Sequence, residues 1–190
     1  MGWPERSIDE IRHFVGNGVH RLIELSVPSN TTSSELEICF GHFQQHYLLH
    51  CQDYTCLYPG VEEMLHLVHE SGYKTAIVSN KLQAGVDELF EKYFRGVVDV
   101  AVGEREGIQR KPAPDMVRLA MNHLNVSINE TVYVGDSEVD VATAKNSGLP
   151  CISVLWGFRN RNQLLEAGAT RFIEHPSQLL NELRTLDSIS

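Results

Sequence analysis

A chain of 190 residues, 42% hydrophobic and 22% charged, has the composition of a folded domain and excludes a disordered or fibrous polypeptide. Its 16 Lys and Arg against 25 Asp and Glu leave a formal charge of −9, the wrong sign for gripping a phosphate backbone or an anionic membrane surface. No apolar run approaches the ~20 residues that span a bilayer, and Met1 to Arg6 shows neither the basic nor the apolar part of a secretory signal. A cytoplasmic protein with no nucleic-acid or membrane partner is therefore expected. Cys39, Cys51, Cys56 and Cys151 form no Cys-x-x-Cys pair and are expected to be reduced thiols, most of them packed.

In chain order, residues 1–58 show no strand pattern. Ser7 and Glu10 form a capping box ahead of Ile8, Ile11, Phe14 and Val15 at helical spacing. Gly16-Asn17-Gly18 interrupts that helix, and Val19, Leu22, Ile23 and Val27 continue a helical face as far as Pro28. The Ser/Thr/Asn cluster from Ser29 to Ser34 caps a further helix with Leu36, Phe40, Phe43, Tyr47 and Leu48. These residues read as a small all-helical unit.

From Pro59 the pattern alternates. Pro59-Gly60 opens a helix that Ser71-Gly72 closes. Thr75 to Val78 is a buried strand ending at Ser79-Asn80, and Leu82 to Phe94 is helical. Val97 to Val102 is a second strand, and Lys111-Pro112 leads into a helix that runs through Leu124. Thr131 to Val134 is a third strand ending in Gly135-Asp136, followed by a helix from Glu138 to Asn146. Ile152 to Leu155 is a fourth strand, Asn162 to Ala167 a short helix, Arg171 to Ile173 a marginal strand, and Pro176 to Leu186 the last helix. Apolar strands alternating with helices predict an α/β fold with a parallel, Rossmann-like sheet over residues 59–190. Ligands in such folds bind beyond the carboxyl ends of the strands, which selects Ser79-Asn80, Lys111 and Gly135-Asp136.

Asp136 at a strand end and Asp140 four residues on can offer hard oxygen ligands to Mg²⁺. They can equally be a helix cap and a first-turn acid favoured by the helix dipole. Ser79 can present a hydroxyl and amide groups to an anion, or can simply end a strand. Lys111 stands on a loop stiffened by Pro112 and Pro114, aimed at a phosphoryl group or at carboxylates, or merely exposed.

Together, in this order, the segments Ile77-Val78-Ser79-Asn80-Lys81, Lys111-Pro112-Ala113-Pro114-Asp115 and Gly135-Asp136-Ser137-Glu138-Val139-Asp140 resemble the second, third and fourth motifs of the haloacid dehalogenase superfamily of phosphohydrolases. Arg12 to Gly18 is similar to the start of the helical cap in its phosphoglycolate-phosphatase-like branch, so the resemblance covers essentially the whole chain. It implies a helical cap over residues 1–58, a core over residues 59–190, and Mg²⁺-dependent hydrolysis of a small phosphorylated metabolite. By resemblance, Ser79 with Asn80 holds the transferring phosphoryl group and Lys111 stabilises a phosphoaspartyl intermediate. Asp136 binds Mg²⁺, with Asp140 as a further ligand or support. Gly16, Asn17 and Gly18, with the histidine helix, are candidates for substrate choice in the cap. A homo-oligomer is compatible with the resemblance.

The superfamily's first motif, Asp-x-Asp-x-Thr on the first and central strand, supplies the nucleophile and the general acid/base. This chain has no Asp-x-Asp; Asp136 and Glu138, the nearest carboxylates at that spacing, belong to the fourth motif. The expectation is an N-terminally truncated phosphatase, its sheet lacking the strand between those that carry Ser79 and Asp136, and with a large loss of rate. The alternatives are a partner chain that supplies the strand or a catalytically silent binding or regulatory protein. His42, His46 and His50 share a helical face and read as a solvated or substrate-facing stripe rather than a Zn²⁺ site, and His66 and His69 as surface residues. Arg159, after Trp156-Gly157-Phe158, could approach an anionic substrate, with Trp156 and Phe158 as core or rim.

Overall fold

The computed structural model describes residues 2–16 and 18–188; Asn17, one of the three residues assigned to the Gly-Asn-Gly turn, lies outside the described residues. Helix α1 (Ile8–Phe14) opens on the expected box, with the Ser7 hydroxyl accepting from the Glu10 N–H and the Glu10 carboxylate accepting from the Ser7 N–H. Helix α2 (Val19–Ser26) starts after Gly18 at φ 82°, and α3 (Ser33–His50) is boxed by Thr32 and Glu35. The Arg6 guanidinium donates to the Ser26 and Val27 carbonyls at the open end of α2, satisfying acceptors that a helix terminus leaves unpaired. His20 of α2 stacks on Phe40 of α3 at 3.8 Å. Among the described residues before Pro59 there is no strand.

The alternating part follows. Helix α4 (Val61–Glu70) leads to β1 (Ala76–Leu82), then α5 (Gln83–Leu89), whose C-terminal end widens into a π-type turn over Phe90–Phe94. Next come β2 (Val100–Glu104), α6 (Asp115–Leu124), β3 (Tyr133–Gly135), α7 (Glu138–Ser147), β4 (Cys151–Val154), α8 (Arg161–Glu166) and β5 (Phe172–Ile173). A 3₁₀ turn at Pro176–Gln178 precedes α9 (Leu179–Asp187). No helix among the described residues is long and apolar enough to cross a membrane.

Among the described residues all strand pairs are parallel, but they form two sheets. β1 pairs with β2, Ala76 opposite Val100 and Val78 opposite Val102. β3 pairs with β4, Tyr133 opposite Cys151, and β4 with β5, Ser153 opposite Phe172. No ladder joins β1 to β3 among the described residues. The break falls where the first strand was expected to be missing. A cavity of about 690 Å³ occupies it, walled by Ile77 and Val78 on one side and Val132 and Val134 on the other, with Met64, Met121 and Leu183 from the helices. The main core lies beside it, where Val68, Ile152, Val154, Ile173, Leu179 and Leu183 pack together; each contributes roughly 1.5–3 kcal/mol by burial.

Several boundaries differ from expectation, three of them beside the strand ends. β1 does not stop at Ser79-Asn80: its register breaks after Val78 and pairing resumes at Leu82 opposite Glu104, so Ser79 to Lys81 form an irregular bend inside the strand. β2 begins at Val100, because Val97 and Val98 are buried in the preceding turn; there the Asp99 carboxylate accepts from the Thr75 N–H at 2.7 Å. Helix α6 starts at Asp115, after a cis Lys111–Pro112 peptide. The cysteines are free, but only Cys51 is fully buried and Cys56 is exposed, so most are less packed than expected.

Candidate active site

The carboxyl ends of β1, β2 and β3 bring the three expected segments together. At their centre is Asp140, one turn into α7 and almost fully buried. Its Oδ1 accepts from the Lys111 ammonium at 2.7 Å and the Tyr133 hydroxyl at 3.0 Å. Its Oδ2 accepts from the Asp136 N–H, the Ser137 N–H and the Ser137 hydroxyl. These five contacts occupy both oxygens and fit the supporting role that the sequence allowed Asp140 beside that of a ligand. Ser137 and Asp140 are the two ends of a capping box, so Asp140 anchors α7 and Lys111 at once. Lys111 is 12% exposed and Asp140 8%, a pairing that a low-dielectric setting makes strong only because further hydrogen bonds complete it.

Asp136 stands apart from that knot, immediately after β3. Its Oδ2 accepts from the Phe158 N–H at 2.8 Å, and it fits there because Gly157 has no side chain: a Cβ would overlap its carboxylate. Burial, followed by the neighbouring Asp140 charge, holds the Asp136 carboxyl above its ordinary value although the Phe158 N–H pulls it down. Burial would raise Asp140 as well, but the Lys111 charge and the bonds from Lys111, Ser137 and Tyr133 outweigh it and leave it below the ordinary value. The two adjacent carboxylates therefore have opposite shifts, Asp140 compensated by Lys111 and its hydrogen bonds and Asp136 dominated by burial.

Asn80 is bound into the same site. Its amide donates to the Gly16 and Lys111 carbonyls, both at 3.0 Å, and its oxygen accepts from the Lys111 N–H at 2.8 Å. Both side-chain donors are spent, so this side chain has none to give a phosphate. It clamps the Lys111 backbone and ties the turn at Gly16 to the strand end. Ser79 is half-buried with its hydroxyl accepting from the Lys81 N–H, which leaves its proton available to an anion. Gly16 and Gly18 do reach the rim, Gly18 so close to Arg110 that a Cβ would lie 2.8 Å from a guanidinium nitrogen.

Arg159 does not face open space: it forms a two-pronged pair with Glu138, at 2.7 and 3.0 Å, and its hydrogen bond lowers the Glu138 carboxyl. Trp156 packs against the main core and Phe158 is exposed at the rim. His42, His46, His50, His66 and His69 are exposed, with His50 paired to Asp53 at 2.7 Å. Among the described residues no three His, Cys, Asp or Glu converge as a metal group. Tyr133 and Ser137 were missed; the Ser-x-x-Asp spacing of a capping box was the signal for the second. Lys81 was quoted but given no role. It is half-buried, its ammonium bonded to the Tyr47 hydroxyl of α3, and burial lowers its pKa.

Residues 1–154 match the family of haloacid dehalogenase-like hydrolases. Phosphoglycolate phosphatase of Vibrio parahaemolyticus is 31% identical over all of this chain and 85% of its own length. That of Pseudomonas syringae pv. tomato is 26% identical over 98% of this chain and 68% of its own length. A crystal structure of a candidate phosphoglycolate phosphatase from Lactobacillus delbrueckii subsp. bulgaricus superposes with a TM-score of 0.87 at 33% identity, covering 94% of this chain and 83% of that one. The chain belongs to the haloacid dehalogenase-like hydrolase family. Within it, the chain is of the phosphoglycolate phosphatase-like kind.

Proposed function

We propose that residues 59–190 form the phosphate- and Mg²⁺-binding part of a phosphatase of small organic phosphates, phosphoglycolate-like, with residues 1–58 as its helical cap. The observation that carries this reading is the buried Lys111–Asp140 pair beside the Asp136 carboxylate at the end of β3. Mg²⁺ takes one or two protein carboxylates and completes its shell with water and phosphate oxygens; Asp136, with Oδ1 outside the bonds described above, fits that demand. When bound, the ion supplies charge neutralisation to a phosphoryl group. Ser79 would hold that group through its hydroxyl, and Lys111, fixed through its side chain by Asp140 and through its backbone by Asn80, would stabilise the charge that develops on it.

No carboxylate among these residues stands as an Asp-x-Asp pair. We place the nucleophile, and the phosphoaspartyl intermediate it forms, on a strand from polypeptide outside these 190 residues, seated in the slot between β1 and β3. The slot supports this with two parallel edges and apolar walls. The same absence favours a second reading, a silent phosphate-binding protein. One assay separates them: Mg²⁺-dependent phosphate release from phosphoglycolate by the chain alone, and by a chimera with an Asp-x-Asp-x-Thr strand ahead of residue 1. The chain alone is expected to turn over at least about 10³-fold more slowly than the chimera, as for the loss of a nucleophile, and Asp136→Ala to silence both. Turnover that survives Asp136→Ala would refute the metal role; a chimera that binds phosphate without hydrolysis would favour the silent reading.

A further inference from the structure

Lys81, Arg110, Lys111 and Arg159 border the strand ends. Three of them are neutralised: Arg110 by Glu104 at 3.5 Å, Lys111 by Asp140, and Arg159 by Glu138. Lys81 has no carboxylate partner among the described residues, and burial is the one cause of its lowered pKa. A half-buried ammonium ion with no counter-charge loses hydration that nothing in the fold replaces.

Its surroundings are built for it. The ammonium donates to the Tyr47 hydroxyl and lies 4.6 Å from the centre of the Tyr47 ring, which is itself stacked on Phe43. Gly85 is buried beneath the pair, where a Cβ would stand 3.3 Å from the Tyr47 ring and 3.5 Å from the Lys81 chain. Lys81 follows Ser79 by two residues in the same bend, with its N–H on the Ser79 hydroxyl at 3.2 Å. Accepting the lysine proton leaves the phenol its own proton to donate. Two donors and one net positive charge thus converge between α3 and the strand end that carries Ser79.

We propose that Lys81 and Tyr47 form a second anion subsite, which binds the non-transferring acidic group of the substrate while Ser79 and Lys111 engage its phosphoryl group. This rests on the phosphatase reading and narrows it to short phosphorylated acids bearing a carboxylate or second phosphate. The substrate anion supplies the counter-charge that the fold omits, so an alcohol phosphate of equal size gains nothing from this pair.

The test is calorimetric binding of phosphoglycolate and of inorganic phosphate, each with Mg²⁺, to the full chain. In Lys81→Met, phosphoglycolate affinity is expected to fall at least about tenfold while inorganic phosphate stays within about twofold, which also shows that the variant is folded. Tyr47→Phe, which keeps the charge and loses one donor, is expected to lose about threefold for phosphoglycolate alone. Equal losses for both ligands, or no loss for phosphoglycolate, would overturn the subsite and leave the phosphatase reading standing. Wild-type protein that binds neither ligand would overturn both.

Discussion

An ammonium ion held beneath Tyr47 without a carboxylate works against folding, and the sign of its pH dependence follows from that. Burial lowers the folded-state pKa of Lys81, so between that value and the ordinary lysine value of about 10.4 the unfolded chain binds more protons than the folded one. Stability contributed by this group therefore rises as the pH climbs through that window and is lowest at neutrality and below. Lys81→Met is expected to raise the unfolding midpoint in urea at pH 7 and to flatten the rise between pH 7 and 10. Equal midpoints for both proteins at pH 7 would mean that the lysine is solvated in solution. A sequence does not show this, because Lys81 looks like any lysine after a strand until α3 is laid over it. The same holds for Asp140: four residues after Asp136 on a helix, it reads equally as a ligand, a support or a first-turn acid, and only the packing of Lys111 and Tyr133 shows what its oxygens touch.

Elements were far easier to read than roles. The helices over residues 8–50 announce themselves through capping boxes and apolar spacing, and every strand of the core was recognisable as a short apolar run. What escaped was the bend at Ser79 to Lys81, since a break in pairing register depends on the partner strand and leaves no periodicity behind. Helix α7 shows how one element organises the site: its capping box uses Asp140, and that carboxylate also holds the loop bearing Lys111. Asp140→Ala should therefore cost about 3–5 kcal/mol, because it strands a buried lysine. Ser137→Ala should cost about 1 kcal/mol, the usual worth of an N-cap. Urea unfolding with unchanged slopes would measure both; a loss below about 1 kcal/mol for Asp140→Ala would show that Lys111 escapes to water and that α7 does not position it.

At the scale of the whole molecule, the feature with the widest consequence is the division of the sheet. The family resemblance implies where the gap lies, between the strands of Ser79 and Asp136, but not its form: two parallel edges facing an apolar cavity of about 690 Å³. Unpaired edges are templates for further strands, and Val134 on one of them is 39% exposed. The chain alone is expected to bind a hydrophobic dye such as ANS under native conditions and to self-associate as its concentration rises. A strand supplied ahead of residue 1 should abolish both. If it buries several apolar side chains at roughly 1.5–3 kcal/mol each, and each kcal/mol moves the melting temperature by about 2–4 °C at this size, the chimera should melt more than about 10 °C higher. A strand carrying polar residues at its slot-facing positions should do neither, which separates filling of this slot from a general effect of added length. A chain that stays monomeric and binds no dye would mean that β1 and β3 close on each other, leaving no seat for a strand and no place between Ser79 and Asp136 for a nucleophile.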